Sequence, residues 1–226
     1  MSREQPTAVS RLADELVRDD DPLHVELAAW LASSRRFRAF VEAHRDKIRK
    51  KVRVATDSEA LHDVRAELHV AHLLLEDRRI GLAFEAYGSG RGGPDFSLTF
   101  RDAPSLNLEV TRPRTSSLVG PLLTKLHQLP PSRPNAVVLA LAGEPTAPDV
   151  AETVRELRAR ADGKDDALFA SRGFDGARAF HQRLLRLGGV IAWRDGVGAE
   201  VWLNKSARIA LPEPATRAVV ACLAGS

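Results

Sequence analysis

Between Pro134 and Gly143 the chain runs Asn-Ala-Val-Val-Leu-Ala-Leu-Ala with no charged residue. A short apolar run bounded by proline and glycine predicts a strand buried on both faces. A strand of that kind needs a sheet with helices on both sides, and the flanking sequence supplies the parts. After Gly81 the segments Leu82–Tyr87, Asp95–Phe100 and Leu106–Thr111 read as three short strands, an antiparallel meander with a turn around Asp102 to Pro104. A helix from Ser117 or Leu118 to Leu129 is ended by Pro130-Pro131. Helical patterns follow over Asp149–Ala161 and Gly176–Leu187, then strands over Gly189–Trp193 and Ala199–Leu203. The fold class expected is α/β, a three-layer α-β-α sandwich with a central mixed sheet, preceded by an N-terminal helical extension.

That extension covers residues 1–56. Pro22 is placed to begin a helix after Asp19-Asp20-Asp21, Ser33-Ser34 offers a break, and Asp57 or Ser58 caps a second long helix running to Asp77. The expected division is 1–56 for the extension, 57–211 for the α/β core and 212–226 for a tail with a short helix. Charge is concentrated in the extension. Nine basic residues fall between Arg35 and Arg53 against Glu42 and Asp46, a local +7 in a chain whose net charge is +3. The remainder therefore sums to −4. A basic segment on a neutral-to-acidic body is the layout of a phosphate-backbone contact, with Arg45, Lys47, Arg49, Lys50 and Lys51 as candidate contacts; a solvated helix face is the competing explanation. Cys222 is the single cysteine, which excludes an internal disulfide framework and a cysteine-based zinc site. No apolar run approaches the roughly 20 residues that span a bilayer, and the N-terminus lacks a hydrophobic signal core. A cytoplasmic protein with no membrane partner is expected.

The residues with chemical potential lie in Gly93-Pro94-Asp95-Phe96 and Leu108-Glu109-Val110-Thr111. Adjacent antiparallel strands can set Asp95 and Glu109 side by side on one face. Two carboxylates so placed repel unless a positive group sits with them, and a hard divalent cation such as Mg²⁺ is the usual solution. Glu67 adds a third acid on the preceding helix, one position from the apolar stripe that includes Leu68. The Gly88–Gly93 loop lacks the Gly-Lys-Ser/Thr of a phosphate-binding loop and reads as a tight hairpin or a place where a ligand approaches.

A glutamate on a helix, then Pro-Asp, then a glutamate on a hydrophobic strand resembles the PD-(D/E)xK, or restriction-endonuclease-like, nuclease superfamily. The similarity covers roughly Ala60 to Leu203. It implies Asp95 and Glu109 as ligands of Mg²⁺ or Mn²⁺ with the Val110 carbonyl contributing, and Glu67 assisting. The departure is Thr111, which stands where the family carries lysine. Lys125 on the following helix is the best substitute, with Arg112 and Arg114 nearer in sequence and available for nucleic-acid contact. The resemblance thus implies a metal-dependent phosphodiesterase, a DNA endonuclease; cutting a duplex on both strands would suit a homodimer. The alternative is a catalytically inactive protein of the same fold that binds nucleic acid or a protein partner.

Overall fold

The computed structural model describes residues 8–18, 20–87, 93–141 and 150–225. The chain divides into two compact units after Arg78. The first is helical: α1 (Ala8–Leu16), α2 (Pro22–Ser33), α3 (Arg35–Ala43), α4 (Arg45–Val54) and α5 (Ser58–Leu74). Its boundaries follow from capping. Asp21 accepts from the Leu23 N–H with Pro22 at the first helical position, Ser34 accepts from Phe37, and Asp57 accepts from Ala60. Leu27, Leu31, Phe37, Val41 and Ile48 form the buried interior. The α5 helix stops at Leu74, short of the expected Asp77. There Arg36 Nη1 donates to the carbonyls of Leu75 (2.7 Å) and Asp77 (2.6 Å), satisfying acceptors that the helix end leaves open. The division at Arg78 also differs from the expected boundary at 56, because α4 packs on α5 and draws it into the helical unit.

Trp30 packs in this unit against two histidine rings that are themselves 6.4 Å apart, 4.8 Å from His69 and 5.7 Å from His72, both stacked. Burial holds His72 below the ordinary 6.5, Glu76 opposing the shift. His44 is lowered by burial and by Lys47. A histidine depressed in the folded state contributes stability that is present above its unfolded pKa of 6.5 and lost as pH falls toward the folded value. The urea midpoint of the helical unit is therefore expected to be lower at about pH 5 than at about pH 7.5, with a shallower pH dependence in His72→Gln. Equal midpoints at the two pH values would contradict this account of the histidine cluster.

The second unit holds β1 (Ile80–Phe84), β2 (Phe96–Phe100), β3 (Ala103–Thr111), α6 (Val119–Leu126), β4 (Asn135–Ala140), α7 (Val150–Asp162), α8 (Asp166–Ala170), α9 (Gly176–Leu184), β5 (Gly189–Arg194), β6 (Gly198–Leu203) and α10 (Glu213–Ala224). Among the described residues the strands form one six-stranded sheet in chain order. The first three strands are antiparallel, β3, β4 and β5 run parallel, and β6 turns back against β5. Parallel neighbours need crossovers, which α6 provides between β3 and β4 and α7–α9 provide between β4 and β5. All six residues of β4 are buried, as its unbroken apolar sequence requires. Val137 and Leu139 point into one core with Val190, Leu122, Leu126, Leu157, Phe169 and Phe180. The alternate residues Val138 and Ile191 face the other way. Helix α10 contacts β2, β5 and β6 and buries Ala215, Val219 and Leu223, so the expected separate tail belongs to the sheet unit. The architecture is a mixed α/β sheet flanked by helices.

Several boundaries move for local reasons. The first strand lies at Ile80–Phe84 rather than Leu82–Tyr87, because Ile80 and Phe84 pair with Phe100 and Phe96 and Glu85 takes a φ of 44°, which ends extended pairing. The β2–β3 turn is tighter than expected: Phe100 pairs with Ala103, and Arg101 at the corner has a φ of 47°. Helix α8 has no counterpart among the expected elements; five residues are too few to show helical periodicity. Asp19, the loop glycines at 88–92, Ala142 and the Asp149 helix start lie outside the described residues. No helix among the described residues is long and apolar enough to cross a membrane.

Candidate active site

The register of β2 against β3 builds the centre of the site. Phe96 is paired with Leu108, so one step outward Asp95 comes opposite Glu109. The two acids are locked reciprocally. The Asp95 N–H donates to Glu109 Oε2 (3.2 Å), and the Val110 N–H donates to Asp95 Oδ2 (2.9 Å). The Asp95 carbonyl in turn accepts from the Glu85 N–H at 2.8 Å. Asp95 is 7% exposed and Glu109 1%. A carboxylate that deeply buried requires a counter-charge.

Lys125 provides it. Glu109 is in register with Val137 of β4, and Val137 belongs to the core shared with Leu122, Leu123 and Leu126 of α6. In-register neighbours share a face of a sheet, so Glu109 points toward α6. On that helix Lys125 sits between Leu122 and Leu126, whose burial draws its aliphatic stem inward. Its Nζ forms an ion pair with Glu109 Oε1. The Thr111 side chain shares the Glu109 face two residues on, at the end of β3.

Asp95, Glu109, Val110 and Lys125 are thus brought together within the second unit. Glu67 lies in the helical unit, 7% exposed, and pairs there with Lys51. Among the described residues no group of three or more histidine, cysteine or acidic side chains has metal-binding geometry. Among the described residues, the oxygens a cation at this pair would share with the bonds above are those of Asp95, Glu109 and the main chain. That set fits Mg²⁺, which is held in proteins by one or two carboxylates and completes its shell with water and phosphate.

The basic segment is not one open face. Helical spacing distributes its nine cations around α3 and α4, and several are taken up internally. Arg36 closes the end of α5, Arg38 donates to the Leu31 carbonyl (3.0 Å), and Lys51 is tied to Glu67. Arg45 meets Glu15 at 3.4 Å and Arg49 meets Asp46 at 3.0 Å, both largely exposed pairs that an external phosphate can compete for. Lys50 and Arg53 are exposed and Lys47 half-buried. In the segment after β3, Arg112 is half-buried and Arg114 exposed.

Behind the acids runs a polar chain that sequence reasoning missed. Ser97 and Asn107 lie two residues inward of Asp95 and Glu109, on the same face. Asn107 Oδ1 accepts from Ser97 Oγ (3.1 Å) and Tyr87 Oη (3.3 Å), while its Nδ2 donates to Asn135 Oδ1 (2.9 Å). Asn135 passes the bonding on to the carbonyls of Pro130, Arg133 and Arg186, each at 2.9 Å. Asn107 and Asn135 are fully buried, and a network with its donors and acceptors satisfied fixes strand register. Asparagine inside an apolar strand, seen at 107 and at the head of the 135–142 run, was the available signal. Comparison of the chain with protein-family models, with curated proteins and with solved structures gave no match.

Proposed function

We propose that the protein is a metal-dependent phosphodiesterase acting on DNA, with the core of the restriction-endonuclease-like fold. The observation that carries this reading is the reciprocal Asp95–Glu109 pair with Lys125 brought onto Glu109 from the next helix. The chain order supports it: an acid-bearing helix, three antiparallel strands, a crossover helix and a parallel fourth strand. Asp95 and Glu109, with the Val110 carbonyl, would hold Mg²⁺ or Mn²⁺. When bound, that ion supplies charge neutralisation at the scissile phosphate and an acidified water. Lys125 takes the part of the lysine that Thr111 lacks: its ammonium sits at the acid pair, where negative charge on a phosphate oxygen builds during hydrolysis. The main-chain N–H bonds from Asp95 and Val110 hold both carboxylates in place before substrate arrives, so no reorganisation is required during the reaction. Lys50, Arg53 and Arg114 are exposed cations suited to phosphate contacts, with little readout of sequence. Glu67 has Lys51 as its partner and is given no step.

The test is a metal titration followed by thermal melting. Mg²⁺ or Mn²⁺ at about a hundredfold excess over its dissociation constant should stabilise the wild-type protein by about 2.7 kcal/mol, a rise of several degrees. Asp95→Ala should show no response. The second reading, a nuclease-fold protein that binds without catalysis, is favoured by Thr111 at the lysine position; a wild-type protein indifferent to both metals, with salt-sensitive DNA binding retained, would establish it instead.

A further inference from the structure

The turn that follows α9 is pinned from several directions. Asn204 Nδ2 donates to the carbonyls of Leu184 (3.0 Å) and Leu187 (2.8 Å), and Asn135 Nδ2 donates to that of Arg186 (2.9 Å). The Gly188 N–H reaches the Asn135 carbonyl and the Arg208 N–H reaches the Leu185 carbonyl, both at 2.8 Å. The turn carries Arg186, Arg183 stands in the last turn of α9 just before it, and the bond to Leu185 brings the Arg208 backbone alongside. Arg183 Nη1 donates to the His127 carbonyl at 3.4 Å and Arg186 Nη1 to the Leu129 carbonyl at 3.3 Å. Arg186 Nε is buried with no hydrogen-bond acceptor among the described residues.

None of the three arginines has a carboxylate in ion-pair contact among the described residues. Burial, then the charges of Arg183 and Arg208, hold Arg186 below the ordinary arginine value. Three like charges around this turn, one of them with a buried donor unmet among the described residues, are unfavourable in isolation and favourable around an anion. A guanidinium carries five N–H donors in a planar fork, and Arg183 and Arg186 each spend one described bond on the scaffold. The remaining forks match the several oxygens of a phosphate better than a single carboxylate.

We propose that Arg183, Arg186 and Arg208 form an oxyanion site for a phosphate group, separate from the Asp95–Glu109 pair. The turn lies where β4 and β5 begin, since Gly189 is in register with Ala136. Asp95 lies three strands away, at the head of β2, opposite Glu109, whose level in the sheet is that of Val137 and Val190. The phosphate is either a free or small-molecule phosphate or a phosphodiester of a nucleic-acid strand; the recognition chemistry is shared. The proposal does not depend on the phosphodiesterase reading.

The experiment compares melting in sodium phosphate and in sodium chloride at matched ionic strength, then with a short single-stranded oligodeoxynucleotide lacking terminal phosphates. A saturable stabilisation is expected in the wild-type protein and equally in Asp95→Asn, so that loss of the nuclease site leaves this one intact. Arg208→Ala and Arg186→Gln should each weaken it by roughly tenfold to a hundredfold, the scale of a charge-assisted hydrogen bond. Arg208 is exposed, so Arg208→Ala should fold normally, and with one repelling charge removed it should melt no lower than wild type in chloride. Response to inorganic phosphate assigns the free anion; response to the oligonucleotide alone, sensitive to Arg208→Ala, assigns a strand backbone. No saturable response to either probe, or one that both arginine variants leave unchanged, would overturn the site.

Discussion

Metal-dependent cleavage of supercoiled plasmid or single-stranded DNA is expected to fall by about 10³-fold or more in Asp95→Asn and in Glu109→Gln. Both substitutions keep the size of the side chain and remove a charge that would hold the cation. In Asp95→Asn the Val110 N–H still finds an amide oxygen in place of the carboxylate, so the β2–β3 register should survive. Glu109→Gln likewise keeps an acceptor for the Asp95 N–H. The loss should therefore appear in rate with the circular dichroism spectrum unchanged. Should both variants cleave within a few-fold of wild type, the acids are structural and the phosphodiesterase reading is lost.

Lys125→Met is expected to act twice. It leaves Glu109, 1% exposed, without the ammonium that faces it. Removing one partner of a buried ion pair costs about 3–5 kcal/mol. The companion Glu109→Gln, Lys125→Met variant removes both charges and should recover most of that stability, because two neutral groups of similar size carry no uncompensated charge. A double-mutant cycle in urea measures this coupling. In activity, Lys125→Met should lose on the order of 10²–10³ in cleavage rate, the cost of one donor aimed at developing charge. Adding Thr111→Lys to Lys125→Met places a lysine on the Glu109 face of the same strand and should restore part of both the stability and the rate. Cleavage unaffected by Lys125→Met would mean that this lysine only neutralises Glu109. A double variant as unstable as the single one would show that the methionine, not the unpaired charge, is at fault.

Much of the framework was legible from local rules. Asp21, Ser34 and Asp57 mark helix starts because a short polar side chain before an apolar-periodic segment meets an open N–H of the first turn. The β4 strand could be read from its unbroken apolar composition, and the meander from short runs divided by turn residues. The adjacency of Asp95 and Glu109 followed from antiparallel pairing alone. Lys125 was a candidate only by its place on the next helix; its contact with Glu109 depends on Val137 and the α6 leucines sharing one core.

Other features depend on partners far along the chain. Arg36, Arg38 and Lys51 read as part of one basic stretch, yet each has an internal partner supplied by a residue 7 to 41 positions away. The same holds for α5, placed with the sheet by sequence and with the helical unit by packing, and for Asn135, whose amide ties together segments up to 51 residues apart. Sequence by itself determined the capped helix starts at Asp21 and Asp57, which strand is buried on both faces and which acids lie on adjacent strands, because capping, periodicity and pairing act over a few residues. Tertiary structure alone decided which charges are neutralised, where the units divide and which arginines stand together, because a buried ion is satisfied by whatever the folded chain brings within hydrogen-bond reach.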